Sequence, residues 1–297
     1  MTEISGQSAV VTGGGSGIGR GLALELSRQG AAVAVADIIF DNARKVAAEI
    51  EAAGGKAVAI HCDVCNNDAV KAMKAEAAAA LGPIRLVFAN AGATSFTRLM
   101  DMSDADVDWI IQVNLMGVMH TARAFLPDMI AGGKGGHICA TASMAGLLPG
   151  WIPVHVPYSA AKAGVIAMMM NLQMELKPHG IHTTSYCPGA VASGMKANNG
   201  RYRPEKFGGP EPVAAVTFSG KSKVHSDLPF YRPEDIAPIV LNAVRRNRPI
   251  VFDHAEQRRF FRETYSSIVE ACYDDIEAWE DQHGTPPANP YGPDLVD

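Results

Sequence analysis

Short strand-like runs, most of them rich in Val, Ile and Ala, recur along the chain at 8–12, 32–37, 57–63, 86–90, 137–141, 183–188 and 250–253, with longer stretches of helical periodicity between most of them. Runs apolar at nearly every position predict strands buried on both faces. Their alternation with amphipathic segments predicts an α/β fold built on a parallel, doubly wound sheet. Asp41, Asp68 and Ser103 stand where helix N-caps are needed, and Gly30, Gly54 and Gly82 where helices close. Two regions break the rhythm. Residues 190–232 are rich in Gly, Pro, Asn, Lys and Ser and too long for an ordinary connection, which predicts a flap over a site. From Ala255 to about His283 a charged helix is expected, carrying Phe260, Phe261, Tyr265, Ile268 and Trp279, before an irregular Pro-rich tail over 284–297. No repeat or linker divides the rest, so the expected organisation is one domain over 1–254 and a C-terminal extension over 255–297.

Composition narrows the function classes. A chain of 297 residues that is 47% hydrophobic has ample material for a core. With 31 acidic against 26 basic side chains, it carries no excess positive charge for nucleic acid or anionic membrane, which leaves a small molecule as the expected partner. No apolar window is long enough to span a bilayer and no secretory signal is evident, so a cytoplasmic protein is expected. Five cysteines, an odd number, suit reduced thiols. Cys62 and Cys65 form a CxxC, but it lacks a second pair for zinc and ends a strand rather than opening a helix, so ordinary packing is expected and no metal site.

Chemistry concentrates at two places. Gly13, Gly14, Gly15, Ser16, Gly17, Ile18 and Gly19 join the first strand to a helix expected to begin near Arg20, where a dinucleotide pyrophosphate can rest on exposed amides. A glycine-rich turn alone is weak evidence, but Asp37 ends the second strand eighteen positions after Gly19, close to the spacing of a carboxylate that binds the adenosine ribose. That carboxylate repels a 2′-phosphate, and neither Ser16 nor Ile38 offers a compensating charge, so NAD is expected rather than NADP. At the second place Tyr158 and Lys162 lie four apart on one helical face. A phenol normally titrates near 10. A neighbouring ammonium and a positive nicotinamide ring are expected to lower that value, letting Tyr158 exchange a proton with an alcohol or carbonyl.

Taken together, TGGGSGIG, Asp63 with Val64, Asn90-Ala91-Gly92, Asn114, Ser143, YSAAK and Pro188-Gly189 occur in the order that resembles the short-chain dehydrogenase/reductase family, over roughly 6–253. The resemblance implies a Rossmann-type sheet of about seven strands and assembly as homodimers or homotetramers. It implies that Asp63 and Val64 border the adenine, that Asn90, Ala91 and Gly92 underlie the cofactor, and that Pro188, Gly189, Val191 and Ser193 bound the nicotinamide. It implies a catalytic set of Asn114, Ser143, Tyr158 and Lys162: Ser143 binding the substrate oxygen, Lys162 also holding the nicotinamide ribose, Asn114 anchoring a water that relays protons to Lys162. Ala89 and Ser193 depart from commoner Asn and Thr, and the stretch from Met144 to Pro157 is slightly long, with three prolines.

Pocket walls are expected from 95–99, 144–157 and the flap, where Leu147, Leu148, Trp151, Ile152, Val154, Met195 and Tyr202 are apolar or aromatic. They predict a hydrophobic or aromatic secondary alcohol and its ketone. His155 is expected as an exposed loop histidine, the alternative being orientation of a substrate hydroxyl. WIIQVNLMGV from Trp109, the FxPxMI from Phe125 and the C-terminal helix are similar to a subgroup oxidising benzylic alcohols of lignin-derived aromatics. The helix's Trp279, Phe260 and Phe261 fit a subunit interface at least as well as a pocket. Rival readings are an NADPH-dependent ketoreductase, a nucleotide-sugar epimerase or dehydratase, and a nucleotide-sensing relative without chemistry. The last would lose Tyr158 or Lys162; the nucleotide-sugar enzymes have a differently spaced turn.

Overall fold

A computed structural model describes residues 1–94, 96–148, 154–195, 201–210 and 230–285. Its sheet has seven parallel strands: β1 (Ser8–Thr12), β2 (Ala32–Asp37), β3 (Ala57–His61), β4 (Ile84–Ala89), β5 (Gly136–Thr141), β6 (Ile181–Cys187) and β7 (Ile250–Phe252). They lie in the order β3-β2-β1-β4-β5-β6-β7 and every pairing is parallel. This is the Rossmann-type sheet expected. Succession runs outward from β1 to β3, then resumes on the other side of β1 at β4, leaving a crevice at the carboxyl ends of β1 and β4.

Among the described residues of the sheet unit the helices are α1 (Gly17–Arg28), α2 (Phe40–Ala52), α3 (Asn67–Leu81), α4 (Asp104–Ile111), α5 (Gly117–Gly132), α6 (Val156–Leu176) and α7 (Pro233–Arg245). Val10, Val11, Val33, Val35 and Phe88 are almost fully buried, as near-continuous apolar strands require. Three local expectations are corrected. α1 starts at Gly17, three residues before Arg20, because Ser16 is already extended and ends the turn. Asp41 and Asp68 are not caps: each lies within the first helical turn, where a carboxylate favours the macrodipole, and the N-caps are Ile39 and Asn66. Asn66 accepts from the amides of Asp68 and Ala69. Ser103 does cap α4, in a reciprocal box with Asp106.

A π-type turn, Gln112–Met116, joins α4 to α5. The chain divides into two compact units, Met1–Ala255 and Glu256–Asp297. The second contains α8 (Gln257–Phe261) and α9 (Ser267–His283), joined by another π turn, Arg262–Ser266. Among the described residues no helix is long and apolar enough to cross a membrane.

Candidate active site

The crevice at the end of β1 opens into a groove lined by Gly13, Ser16, Gly17 and Ile18 from the turn, Asp37 and Ile38 after β2, Asp63 and Val64 after β3, and Asn90, Ala91 and Gly92 after β4. It continues to Thr141, Tyr158, Lys162, Pro188 and Ser193. Most of the residues expected at the cofactor site thus share one surface. Gly19 does not line it. A Cβ there would lie 2.1 Å from the Gly13 carbonyl, so this glycine allows the helix to pack on its own turn. Gly17 has φ +49, and a Cβ on it would come 2.6 Å from the Ser193 carbonyl.

Asp37 is held in place by two backbone amides. Its Oδ2 accepts from the Gly15 amide at 2.9 Å and its Oδ1 from the Ile39 amide at 2.9 Å. Burial pushes its carboxyl above the ordinary value, while those amides pull it back. Asn90 ties three strand ends together: its Nδ2 donates to the Thr12 and Gly13 carbonyls, and its Oδ1 accepts from Thr141. Asp63 accepts from the Cys65 amide at 2.9 Å and lies 3.6 Å from Lys206 of the flap. Cys62 and Cys65 border the same end, and burial pushes both thiols up to about 12, the reverse of a reactive CxxC.

The other end of the groove holds the titrating pair. Lys162 is 1% exposed, donates to the Thr141 carbonyl at 2.7 Å, and lies 5.6 Å from the centre of the Tyr158 ring. The expected lowering of the phenol rests on the ammonium and the nicotinamide charge together, and the protein supplies only the first. In the protein alone the ammonium does not lower the phenol. Burial pushes Tyr158 up to about 12, with a hydrogen bond from Ser143 drawing it down, and burial lowers Lys162 to about 7. Desolvation acts on both groups and favours the neutral form of each.

Ser143 is buried, its Oγ accepting from the Ala145 amide at 3.1 Å. Asn114 sits in the π turn, fully buried, its Nδ2 donating to the Ala93 carbonyl at 2.7 Å and the Ile110 carbonyl at 2.9 Å. Its Oδ1 has no hydrogen-bond partner among the described residues. A Cβ on Gly92 would fall 2.8 Å from that oxygen and 3.5 Å from Lys162 Nζ, so the glycine keeps open the space that both groups face.

His155 is not the exposed loop residue expected. It is 5% exposed, hydrogen-bonds through Nε2 to Thr94, and stacks between Phe96 at 4.8 Å and Tyr158 at 4.5 Å. Val154 before it has φ +61, an uncommon conformation for a β-branched residue. Val191 packs against the core and bridges to Tyr231. Gly189 donates to Asp253, which also accepts from Tyr186 at 2.6 Å.

Leu148 is buried, whereas Leu99 is half exposed. Met195 and Tyr202 line the groove together with Trp109. Trp151 and Ile152 lie outside the described residues, as do Ser95 and much of the expected flap. Residues that sequence reasoning missed at the site include Thr94, Trp109, Thr141 and Asp253. Thr141 was within reach, since it ends a strand at its carboxyl end, where ligands bind. Arg203, which pairs with Asp106 across 97 positions and lies 5.8 Å over Trp109, leaves no local signal.

A family model for short chain dehydrogenases matches residues 7–203. The chain is 37% identical over 216 residues to (-)-trans-carveol dehydrogenase of Rhodococcus erythropolis, covering 68% of this chain and 77% of that protein. It is 31% identical over 273 residues to C alpha-dehydrogenase of Sphingobium sp. strain SYK-6, covering 91% and 88%. A short chain dehydrogenase/reductase from Burkholderia phymatum, solved in complex with NAD, superposes with a TM-score of 0.79 at 30% identity, over 97% of this chain and 100% of that one. The apo form of LigD from Sphingobium sp. strain SYK-6 superposes with a TM-score of 0.74 at 28% identity, over 90% and 97%. With a strand order that opens a crevice at the carboxyl ends of β1 and β4, a buried Tyr and Lys at its far end, and a family match spanning residues 7–203, this chain belongs to the short-chain dehydrogenase/reductase family of oxidoreductases.

Proposed function

We propose that this protein is an NAD-dependent dehydrogenase, or ketone reductase in reverse, acting on a hydrophobic or aromatic secondary alcohol, with Tyr158 as general acid and base. The observation that carries this reading is the single groove with the Asp37 carboxylate at one end and Tyr158 and Lys162 at the other. The glycine turn, Asp37 and the space beside Asn114 Oδ1 and Lys162 fit a dinucleotide with its adenosine ribose at Asp37. Among the described residues lining the groove, Lys162 is the only Lys or Arg, and it lies away from Asp37, which supports NAD over the phosphorylated cofactor.

When bound, NAD supplies the carbon that accepts hydride from the alcohol and a positive charge beside Tyr158. The protein's own groups handle the proton. Ser143 orients the substrate oxygen and Tyr158 Oη takes its proton. Lys162 holds the cofactor ribose and stabilises the phenolate. Asn114 Oδ1 faces the same space as Lys162 Nζ and is suited to hold a water that returns the proton. His155, stacked on the Tyr158 ring, fixes the plane of the phenol.

The apolar lining of Trp109, Met195 and Tyr202 supports a hydrophobic substrate, as do relatives named for carveol and C alpha oxidation. Five free cysteines are consistent with a reducing cytoplasm, and the reading includes a homodimer or homotetramer. A panel of secondary alcohols with NAD or NADP, followed by reduced-cofactor absorbance, tests it. Tyr158→Phe should keep cofactor affinity while turnover falls by about 10² to 10⁴. Turnover at the wild-type level would remove the proton role of Tyr158, and a preference for NADP would remove the role of Asp37.

A further inference from the structure

We propose that the C-terminal helical segment, Gln257–Phe261 continued through Arg262–Ser266 and Ser267–His283, is a self-pairing surface that docks antiparallel against the same segment of a second copy. Its apolar positions make the seam. Phe261, Tyr265, Ile268, Cys272, Ile276 and Trp279 follow one another at spacings of four, three, four, four and three, the repeat of a helix that packs against another helix. Ile268, Ile276 and Trp279 are each more than half exposed, and Tyr265 is 41% exposed. Exposed large apolar side chains in continuous register mark an interaction face.

Charge identifies the occupant. The first ten residues of the segment carry Arg258, Arg259 and Arg262 against one carboxylate, Glu263. The stretch from Ser267 to His283 carries Glu270, Asp274, Asp275, Glu277, Glu280 and Asp281 and neither Lys nor Arg. This polarity is the wrong way round for the helix itself, because cations at the N-terminal end and anions at the C-terminal end oppose the macrodipole. A second copy running antiparallel turns the misfit into complementarity, setting each copy's arginines beside the other's carboxylates. A parallel copy would place like charge on like. An anionic membrane would repel the acidic half.

The pairing is isologous, with its two-fold axis beside Ile268, so that Arg262 meets Asp275 of the other copy and Phe261 meets Ile276. At 1.5 Å rise per residue, the two Ile268 positions are nearly level, while the two Cys272 positions are offset by about 10 Å along the axis, too far for a disulfide.

The test uses the full chain in a Cys272→Ser background. Ile268→Cys should give a covalent dimer under mild oxidation, whereas Cys272 in the native sequence should not. Separately, Arg262→Glu should weaken self-association by about tenfold or more, read by sedimentation on dilution, since symmetry introduces two repulsive pairs. Adding Asp275→Arg should restore it. Both charged positions lie on the surface, and thermal unfolding checks that the variants fold. The proposal is overturned if Ile268→Cys does not cross-link, if the charge swap fails to rescue, or if the segment binds lipid vesicles or a different protein without pairing to itself.

Discussion

Replacing Lys162 by Met should stabilise the protein while abolishing its chemistry. The ammonium is 1% exposed, and burial takes its pKa from 10.5 to about 7. That fall corresponds to a destabilisation of the native state of at most about 5 kcal/mol at pH 7 and below, at about 1.36 kcal/mol per pH unit. The charged hydrogen bond to the Thr141 carbonyl offsets roughly 1.5–3 kcal/mol of it. A methionine of similar length fills the volume without a charge, so the expected gain is about 2–3 kcal/mol, or roughly 5–10 °C in Tm for a domain of this size.

The pH dependence separates this cause from better packing. Between pH 7 and 10.5 the unfolded chain binds a proton at Lys162 that the native protein does not, so the wild type gains stability as pH rises and the variant does not. The gap should narrow by about 1.4 kcal/mol per pH unit and vanish near about pH 9. Thermal unfolding without cofactor, at several values from pH 6 to pH 9, reads it directly. A variant less stable at pH 7, or a gap independent of pH, would refute the reasoning.

Asp37→Ala should weaken NAD binding by about tenfold or more and reduce discrimination against NADP, since a charged hydrogen bond is worth about 1.5–3 kcal/mol; comparative titration of both cofactors measures it. Gly17→Ala forces a side chain to φ +49 and to 2.6 Å from the Ser193 carbonyl, and should cost about 1–3 kcal/mol in thermal stability together with cofactor affinity. His155→Ala removes the ring stacked on Tyr158, worth about 0.5–1.5 kcal/mol. It should lower kcat by up to about tenfold and alter its pH profile while leaving NAD affinity alone. Loss confined to NAD affinity would place His155 outside the proton path.

How much was legible depends on whether the cause is local. The ends of β1 and β2 follow from apolar runs meeting a glycine turn and Asp37, and the structure keeps both boundaries. The caps at Asp41 and Asp68 failed because a carboxylate in the first helical turn and one at the N-cap leave the same sequence signature. His155 was unreadable for a different reason: its burial depends on Thr94, Phe96 and Tyr158 arriving from separate segments.

By itself the sequence determined the strand and helix succession, and hence the parallel sheet. It also determined the turn that only glycine can make and the helical spacing that puts Tyr158 and Lys162 on one face. These follow from periodicity and backbone sterics over a few residues. Only the tertiary structure decided the electrostatic state of that pair in the protein alone, which comes from the burial of both groups and opposes what the charge of a neighbour alone would do. It alone decided that Gly92 opens a space onto Asn114 and Lys162, and that Arg203 reaches Asp106. Desolvation and close approach are properties of atoms brought together from distant positions, and no local pattern encodes them.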